Sequence, residues 1–161
     1  MSFAPTELGF AGVAVSARGV VCLQLADDLA LAKACLREAL PNADLQEVGD
    51  EGLEGLLHSL HTDQTPAVPL DLQGTPFQVE VWLGLTQTRW GQTLSYSELT
   101  RSLGRPESAV RAVAGAVAAN PIAVLVPCHR VLRRDGGLGG FRWGIARKRR
   151  LLAREGRLSL F

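Results

Sequence analysis

The order of apolar and polar positions near the start of the chain predicts a β-hairpin followed by helices. Two apolar runs of strand length, residues 9–15 and 20–25, flank a turn at residues 16–19, a pattern typical of two antiparallel strands. Apolar residues then recur at helical spacing over residues 28–39 and again over residues 51–60. The first part of the chain is therefore expected to form an α+β lobe.

Helical spacing dominates the second part of the chain. Thr75 and Pro76 mark a helix start, because threonine caps helices and proline suits their first turn. A capping box over residues 95–98 starts another helix, and Pro106 starts a third that runs to Ala119. The last two helices are short and separated by a few residues, which predicts a helix-turn-helix.

Composition and charge predict two lobes with a boundary near residue 75. The chain has 161 residues, 47% of them hydrophobic and 20% charged, which excludes a disordered chain or a coiled coil. Residues 62–76 are rich in proline, as linkers are. Residues 1–75 carry a net charge of −8 and residues 76–161 a net charge of +9. The basic half suits a polyanion such as nucleic acid, although two solvated faces would give the same asymmetry.

The number of cysteines and the hydropathy of the chain indicate the cellular compartment. The three cysteines, Cys22, Cys35 and Cys128, are an odd number at irregular spacings, so we expect free thiols in a reduced compartment. No stretch reaches the roughly 18 consecutive apolar residues of a membrane span, and the start lacks the pattern of a signal peptide. These features predict a cytoplasmic protein with no membrane association.

One face of the predicted third helix has almost no side-chain bulk. Arg111, Ala114, Gly115 and Ala118 recur at positions i, i+3, i+4 and i+7, so they share one side. A single arginine on a flat surface suits insertion into a nucleic-acid groove, whereas a major-groove reader would carry several long polar side chains. Close packing against another helix is the alternative explanation.

A thiol with candidate activating neighbours follows an apolar run. Residues 122–126 predict a buried strand, and Cys128, His129 and Arg130 lie just beyond its end. A cysteine becomes a strong nucleophile only as the thiolate, which a base or a positive charge stabilises. His129 reaches Cys128 only if the chain turns there or a water bridges them. A buried cysteine beside a structural histidine is the alternative.

Glu155 stands at an unfavourable position. It ends a predicted helix over residues 144–154, just before Gly156, where the helix dipole disfavours a carboxylate by about 0.3–1 kcal/mol. A histidine that needs orientation would supply a partner, and the arginines of residues 147–150 are the alternative partners. The glycine-rich stretch over residues 136–140 lacks the pattern of a phosphate-binding loop, so it forms either a pocket wall or a hairpin loop.

Together these residues resemble the O6-alkylguanine-DNA alkyltransferases. The resemblance covers essentially all of residues 76–161, while residues 1–75 match only in size and α+β character. The residues that carry it are Pro76-Phe77-Gln78, Val81-Trp82, Arg111-Ala112-Val113, Asn120-Pro121, Pro127 to Val131, Leu151-Leu152 and Glu155-Gly156. It implies an α+β two-lobe protein, with a ribonuclease-H-like α/β supporting lobe over residues 1–75 and a mainly helical lobe over residues 76–161. The second lobe would contain the helix-turn-helix, bind DNA and accept the alkyl group.

The resemblance implies a role for each residue of the thiol site. Cys128 would accept an alkyl group, mainly methyl, from O6 of a flipped-out guanine, with O4 of thymine as a second candidate target, and the protein would then be spent. His129 would draw the thiol proton through a water, Glu155 would orient His129, and Asn120 would brace the turn. The backbone carbonyls of Cys128 and Val131 would recognise the guanine amine.

It also implies the DNA contacts and the pocket. Arg111 would fill the gap left by the flipped nucleotide, with the small face of Ala114, Gly115 and Ala118 against the groove. Tyr96 would rotate the neighbouring phosphate, line the pocket and help to protonate the guanine, and Arg130 would add a DNA contact. The expected partner is double-stranded DNA with alkylated bases, bound largely without sequence preference by a monomer, with cooperative assembly left open.

Three residues depart from the common family pattern. Ala114 stands where many members have glycine, Phe141 where tyrosine is common, and Trp143 where some members have glycine. Phe141 and Trp143 are expected to line the substrate pocket, so we expect methyl groups to be accepted and benzyl groups to be hindered. The four candidate zinc ligands, Cys22, Cys35, His58 and His61, match no standard spacing, and the chemistry requires neither a metal nor a cofactor.

Three other functions fit some of the same features. Some relatives of the family bind lesions without repairing them, but these lack the acceptor cysteine. A helix-turn-helix regulator could use the thiol as a sensor, and would need a further domain to contact polymerase. A cysteine hydrolase would turn over repeatedly and release free product.

Overall fold

The computed structural model describes residues 1–49, 51–60 and 67–157. Position 50, residues 61–66 and residues 158–161 lie outside the described part, so His61 and much of the predicted linker are not placed. The chain forms two compact units. The first comprises Met1–Leu72 with Pro121–Ala123, and the second comprises Gln73–Asn120 with the chain from Val124 onward.

The first unit is built on a three-stranded antiparallel sheet in the order β1-β2-β3, formed by β1 (Ser2–Thr6), β2 (Gly9–Ser16) and β3 (Gly19–Ala26). The predicted hairpin is confirmed as β2 and β3. Strand β1 was not predicted, because its sequence does not alternate and contains Pro5. Proline is tolerated there since β1 is an edge strand, and Pro5 pairs in register with Phe10.

Two helices complete the first unit, α1 (Leu29–Ala39) and α2 (Glu51–Ser59). The Asp28 carboxylate caps α1 by accepting a hydrogen bond from the amide of Leu31 at 2.8 Å, so the helix begins where its sequence predicts. Helix α1 packs on β2 and β3. The apolar core beneath it contains the buried residues Met1, Ala14, Val21, Cys22 and Leu36.

The predicted strand over residues 122–126 is wrong in conformation, although every residue of the run is buried. Only Ile122 forms a bridge, parallel to Leu23, and the chain then turns through Val124, which has a positive φ of 67°. The run is divided between the two units after Ala123. A short apolar run indicates burial but does not distinguish a strand from other buried backbone.

The second unit is mainly helical. Its helices are α3 (Pro76–Thr86), α4 (Tyr96–Ser102), α5 (Val110–Ala118) and α6 (Ile145–Arg154). Two short strands, β4 (Leu94–Ser95) and β5 (Val131–Leu132), pair in parallel. The capping boxes of Thr75 with Gln78 and of Ser95 with Glu98 are both present, as the sequence predicts. None of the described helices combines the length and the apolarity that crossing a membrane requires.

The third predicted helix begins later than expected. Pro106 precedes a single 3₁₀ turn over Glu107–Ala109, and the α-helix starts at Val110. Helix α5 packs against α3 and α4, burying Val113 and Val117. The indole Nε1 of Trp82 donates to the Ala116 carbonyl at 2.8 Å, in the last turn of α5, where carbonyls lack partners within the helix.

We predict that Trp82→Phe destabilises the protein by about 1–3 kcal/mol, because it leaves the buried Ala116 carbonyl without its donor. Chemical unfolding followed by circular dichroism measures the change. Leu83→Ala on the same helix is the matched control, since Leu83 is 50% exposed and its truncation should cost at most about 0.5 kcal/mol. Equal losses for both variants would contradict the importance of the indole hydrogen bond.

Candidate functional site

A buried thiol lies in a tight turn of the second unit. Cys128 is 6% exposed and begins a 3₁₀ turn over Cys128–Arg130, so the chain does turn at this point. The Asn120 side chain, two residues after α5, donates to the Val126 carbonyl at 2.9 Å and to Sγ of Cys128 at 3.2 Å. Asn120 therefore holds both the start of the turn and the sulfur.

The surroundings of the thiol keep it protonated at neutral pH. Burial raises the pKa of Cys128 to about 11, while the Asn120 amide and the positive charges of Lys148 and Arg142 oppose the rise. A thiol with this pKa is ionised in roughly one molecule in ten thousand at pH 7. Reaction at this sulfur therefore requires a base that removes the proton as the new bond forms.

His129 has one nitrogen bound and one available. Its Nε2 lies 2.7 Å from Oε1 of Glu155, and both side chains are buried. Burial lowers the pKa of His129, against the opposing effect of Glu155, so the ring is neutral. Because the carboxylate only accepts, Nε2 carries the hydrogen and Nδ1 is the acceptor. That Nδ1 is buried and has no hydrogen-bond partner within the described chain.

Glu155 is the centre of a buried ion-pair network. It ends α6, and its carboxylate accepts from His129, from the guanidinium of Arg130 at 3.0–3.2 Å and from the amide of Gly91 at 2.9 Å. Burial alone would raise the pKa of Glu155, but the hydrogen bonds from His129 and Arg130 hold it at about 2. Glu155 is therefore ionised and buried, so it is not a surface carboxylate paired with residues 147–150.

The contact of Arg130 with DNA stays a prediction, and the structure engages this side chain inside the protein. Its side chain is 7% exposed, and its guanidinium binds Glu155 together with the carbonyl and hydroxyl of Thr88, at 2.7 and 3.0 Å. The arginine balances the charge of Glu155, and withdrawing it would leave that carboxylate without its main counter-charge. The sequence places Arg130 directly after Cys128 and His129, which suggests a DNA contact. Its partner in the folded chain, Glu155, lies 25 positions further along, so the sequence does not reveal the pairing.

Tyr96 and the glycine-rich stretch lie together. Tyr96, the first residue of α4, is partly buried, and burial raises its pKa, with a further rise from negative charge at Cys128. It therefore stays protonated and can donate a hydrogen bond. A Cβ built on Gly139 would lie 3.6 Å from the Tyr96 hydroxyl, an ordinary contact distance, so the loop lies beside the phenol. The φ of 68° at this position favours glycine.

The other predicted pocket residues flank the same loop. Phe141 and Trp143 make an edge-to-face contact with centroids 5.2 Å apart, and Trp143 is buried. Val131 is buried in β5 directly after the turn. Arg142 donates to the Asn120 carbonyl at 3.3 Å.

Sequence reasoning missed Lys148. Its ammonium is buried and donates to the carbonyls of Val131 at 2.7 Å, Gly140 at 3.2 Å and Leu138. A signal existed, because Lys148 lies four positions before Leu152 and seven before Glu155. It therefore stands on the buried face of α6, where a lysine is unusual.

The small face of α5 is open to solvent. Arg111, Gly115 and Ala118 are exposed, and Ala114 is partly exposed. Apart from its chain neighbours and its own helix backbone, no atom of the described residues lies within 4 Å of a Cβ built on Gly115. The alternative of close helix packing on this face is therefore wrong, and the face is available to a large partner.

The candidate zinc ligands occupy ordinary positions where they are described. Cys22 is buried in β3, Cys35 is partly buried in α1, and His58 lies in α2. In residues 1–49, 51–60 and 67–157, no three histidine, cysteine or acidic side chains are grouped to hold a metal ion.

The sequence is similar to known DNA repair proteins. Residues 76–157 match the family described as 6-O-methylguanine DNA methyltransferase, DNA binding domain. The chain is 43% identical over 158 residues to the bifunctional transcriptional activator/DNA repair enzyme Ada of Escherichia coli K12, covering 96% of this chain and 44% of that protein. It is 46% identical over 92 residues to the inducible methylated-DNA--protein-cysteine methyltransferase of Bacillus subtilis, covering 57% of this chain and 51% of that protein. The chain thus spans about half the length of these curated relatives.

Two solved structures are similar over nearly the whole chain. Mycobacterium tuberculosis OGT in complex with DNA is 30% identical, with a TM-score of 0.78 and coverage of 99% of this chain and 94% of that one. The O6-methylguanine-DNA methyltransferase of the archaeon Pyrococcus kodakaraensis is 26% identical, with a TM-score of 0.80 and coverage of 96% and 98%. The mixed α/β architecture of this chain matches theirs.

We predict that Glu155→Gln removes a pH-dependent part of the stability. The folded pKa of about 2 lies below the ordinary value of 4.5, so the carboxylate contributes stability that is complete above about pH 4.5 and is lost as the pH falls toward 2. The shift corresponds to on the order of 3 kcal/mol. The difference in unfolding free energy between wild type and Glu155→Gln should be largest near pH 7 and should shrink below pH 4.5.

Urea unfolding at a series of pH values measures this difference. Glu107→Gln is the matched control, because Glu107 pairs with Arg134 at the surface, where an ion pair contributes at most about 1 kcal/mol. A wild-type minus Glu155→Gln difference that is the same at pH 7 and at pH 3 would contradict the role of the ionised carboxylate.

Proposed function

The chain belongs to the 6-O-methylguanine DNA methyltransferase family, and from this premise we propose that it repairs DNA by moving an alkyl group, mainly methyl, from O6 of guanine onto Cys128. O4 of thymine is a second candidate target. The observation that carries the proposal is the buried set of Cys128, Asn120, His129 and Glu155, in which a neutral imidazole with a bare acceptor nitrogen follows the thiol in one turn. The transfer is stoichiometric, and each chain acts once.

The reaction is a single displacement. Sγ of Cys128 forms a bond to the alkyl carbon, the bond from that carbon to O6 breaks, and its electron pair stays with guanine. The thiol proton passes through a water to Nδ1 of His129, and Glu155 stabilises the imidazolium that results. The resulting thioether has no chemically easy route back to a thiol, so the protein is consumed.

Tyr96 supplies the proton that the departing guanine requires. Its raised pKa keeps the phenol protonated until negative charge develops on the base. The imidazolium and phenolate left behind carry opposite charges, and proton exchange with solvent restores both. Phe141 and Trp143 bound the pocket, so methyl groups fit better than benzyl groups.

The DNA contact is made by the second unit. We assign α4 and α5 to a helix-turn-helix whose exposed small face enters a groove of double-stranded DNA, and we assign the first unit to a ribonuclease-H-like supporting domain. Arg111 projects from the face and fills the gap that the flipped nucleotide leaves, which offsets part of the few kcal/mol that flipping costs. The small residues fit the shape of the groove, and the net positive charge attracts the phosphate backbone of DNA. Recognition is therefore largely independent of the DNA sequence.

A lesion sensor without transfer activity is the alternative function. The acceptor Cys128, its Asn120 brace and its neighbouring imidazole together argue against it, because binding alone requires none of these groups. The second unit would recognise DNA in the same way in either case.

We predict that the wild-type chain gains the mass of one methyl group after incubation with duplex DNA containing O6-methylguanine, and that Cys128→Ala gains none. Intact-mass spectrometry measures the uptake. Cys35→Ala is the matched control and should gain the methyl group, because Cys35 lies in α1 of the first unit. Lesion binding with an unchanged wild-type mass would support the sensor instead, and repeated release of free product would support a hydrolase.

We predict that Arg111→Ala slows repair of duplex DNA by about tenfold or more, because the vacated stack is no longer filled. Repair of the free base O6-methylguanine should slow much less, since no duplex has to be opened. Single-turnover rates on the two substrates measure the split. Arg149→Ala, which removes an exposed positive charge from α6, is the control for net charge. Equal losses on duplex and free base would refute the role of Arg111.

A further inference from the structure

Lys148 is a fully buried cation that the proposed transfer does not use. Its residue is 0% exposed, and its ammonium donates to three neutral carbonyls and to no carboxylate in the part of the chain that the structure describes. Three carbonyl acceptors satisfy all three ammonium hydrogens. Burying a lysine without a counter-ion is costly, so this position carries a cost that an apolar residue would avoid.

The three carbonyls belong to two segments that follow the acceptor turn. Val131 lies in β5, directly after the turn that contains Cys128, whereas Leu138 and Gly140 flank Gly139 in the glycine-rich loop. Residues 138–140 form no helix or strand, and in the described chain their hydrogen bonds to other residues run through Lys148. The ammonium therefore fastens this part of the loop to β5.

The fastened segment adjoins the groups that react. Gly139 lies against the Tyr96 hydroxyl, at 3.6 Å from a built Cβ. The ammonium also lies beside the acceptor turn, because it donates to the Val131 carbonyl directly after Cys128–Arg130, and the charges of Lys148 and Cys128 act on each other. Burial lowers the pKa of Lys148 to about 8, so most molecules carry the positive charge at pH 7. Arg142 is the other cation that acts on Cys128.

We propose that Lys148 is a positioning residue for the transfer: it fastens residues 138–140 beside Tyr96 and presents positive charge to Cys128 as the thiol loses its proton. This inference rests on the proposed function. A charge in a buried site acts with little screening, so it favours the developing thiolate more than a surface cation would. The same contacts keep the phenol and the sulfur in a fixed arrangement.

Lys148→Met tests the proposal, because methionine is a similarly long, flexible side chain without the charge or the donors. Arg149→Met, one position along α6 and exposed, is the matched control. Hydrogen exchange measures the fastening at the amides of Arg133 and Gly136, which donate to the Gly137 and Arg133 carbonyls in the turn that leads into residues 138–140. We expect exchange there to accelerate about tenfold or more in Lys148→Met only, with α5 unchanged, as local opening of one segment requires.

The rates at which small reagents alkylate Cys128 report the effect of the Lys148 charge at the sulfur. Iodoacetate is an anion and iodoacetamide is its neutral counterpart, so the ratio of their rates at Cys128, followed by peptide mass spectrometry, reports the local field. We expect Lys148→Met to lower this ratio about threefold or more while Arg149→Met leaves it unchanged. A merely structural lysine would alter both rates together and leave the ratio constant, which would overturn the charge role.

Methyl transfer from duplex DNA completes the test. At saturating DNA we expect the single-turnover rate of Lys148→Met to fall about tenfold or more, with DNA affinity within about twofold of wild type. An unchanged rate despite faster loop exchange would overturn the positioning role. The exchange and alkylation measurements require no DNA, so they still decide the role of Lys148 at the thiol if wild type itself transfers no methyl group.

If Lys148→Met does not fold, the wild-type chain still provides a test. Its ratio of iodoacetate to iodoacetamide rates at Cys128 should exceed that of glutathione, and Arg142→Met should retain most of the excess. A wild-type ratio no higher than that of glutathione would overturn the proposal.

Discussion

The buried carboxylate of Glu155 is the constraint on which the site depends. It is ionised inside the protein, so it must be surrounded by donors, and it receives them from His129, Arg130 and the amide of Gly91. One negative charge thus sets the tautomer of the imidazole, holds the arginine in the interior and ties the segment before β4 to the end of α6. Without Glu155, nothing would fix the hydrogen of His129 on Nε2 and leave Nδ1 as the acceptor. The buried Arg130 would also lack its counter-charge.

Burial has two opposite effects on the reactivity of the Cys128 thiol. It raises the pKa of Cys128 to about 11, which protects the sulfur from casual alkylation and oxidation. The same exclusion of water strengthens the interaction of nearby charges with the sulfur. Those charges therefore stabilise the thiolate once a base has taken the proton. For the single transfer proposed above, this arrangement is favourable, because a reactive free thiolate would be lost to side reactions before it met a damaged base.

Local interactions allowed much of the fold to be predicted. The hairpin and the starts of α1, α3 and α4 follow from alternation, caps and turn residues that lie within a few positions of one another. Cys128 and His129 were found because they are adjacent, and Glu155 because its charge conflicts with its own helix end. The edge strand β1 was missed because its sequence does not alternate and contains Pro5. The start of α5 was placed too early because Pro106 precedes a 3₁₀ turn, and the turn at Val124 was missed because an apolar run indicates burial without fixing the backbone conformation.

The amino-acid sequence by itself determined where the β2-β3 hairpin and most of the helices form, that the basic half suits a polyanion, and which side chains are chemically able to act. The tertiary structure alone decided which of these side chains meet. It brought Arg130 to Glu155, buried Lys148 against three carbonyls, and left the small face of α5 open. The physical reason is that periodicity assigns a residue to a face, whereas the partner and the exposure of that face depend on packing between segments distant in sequence.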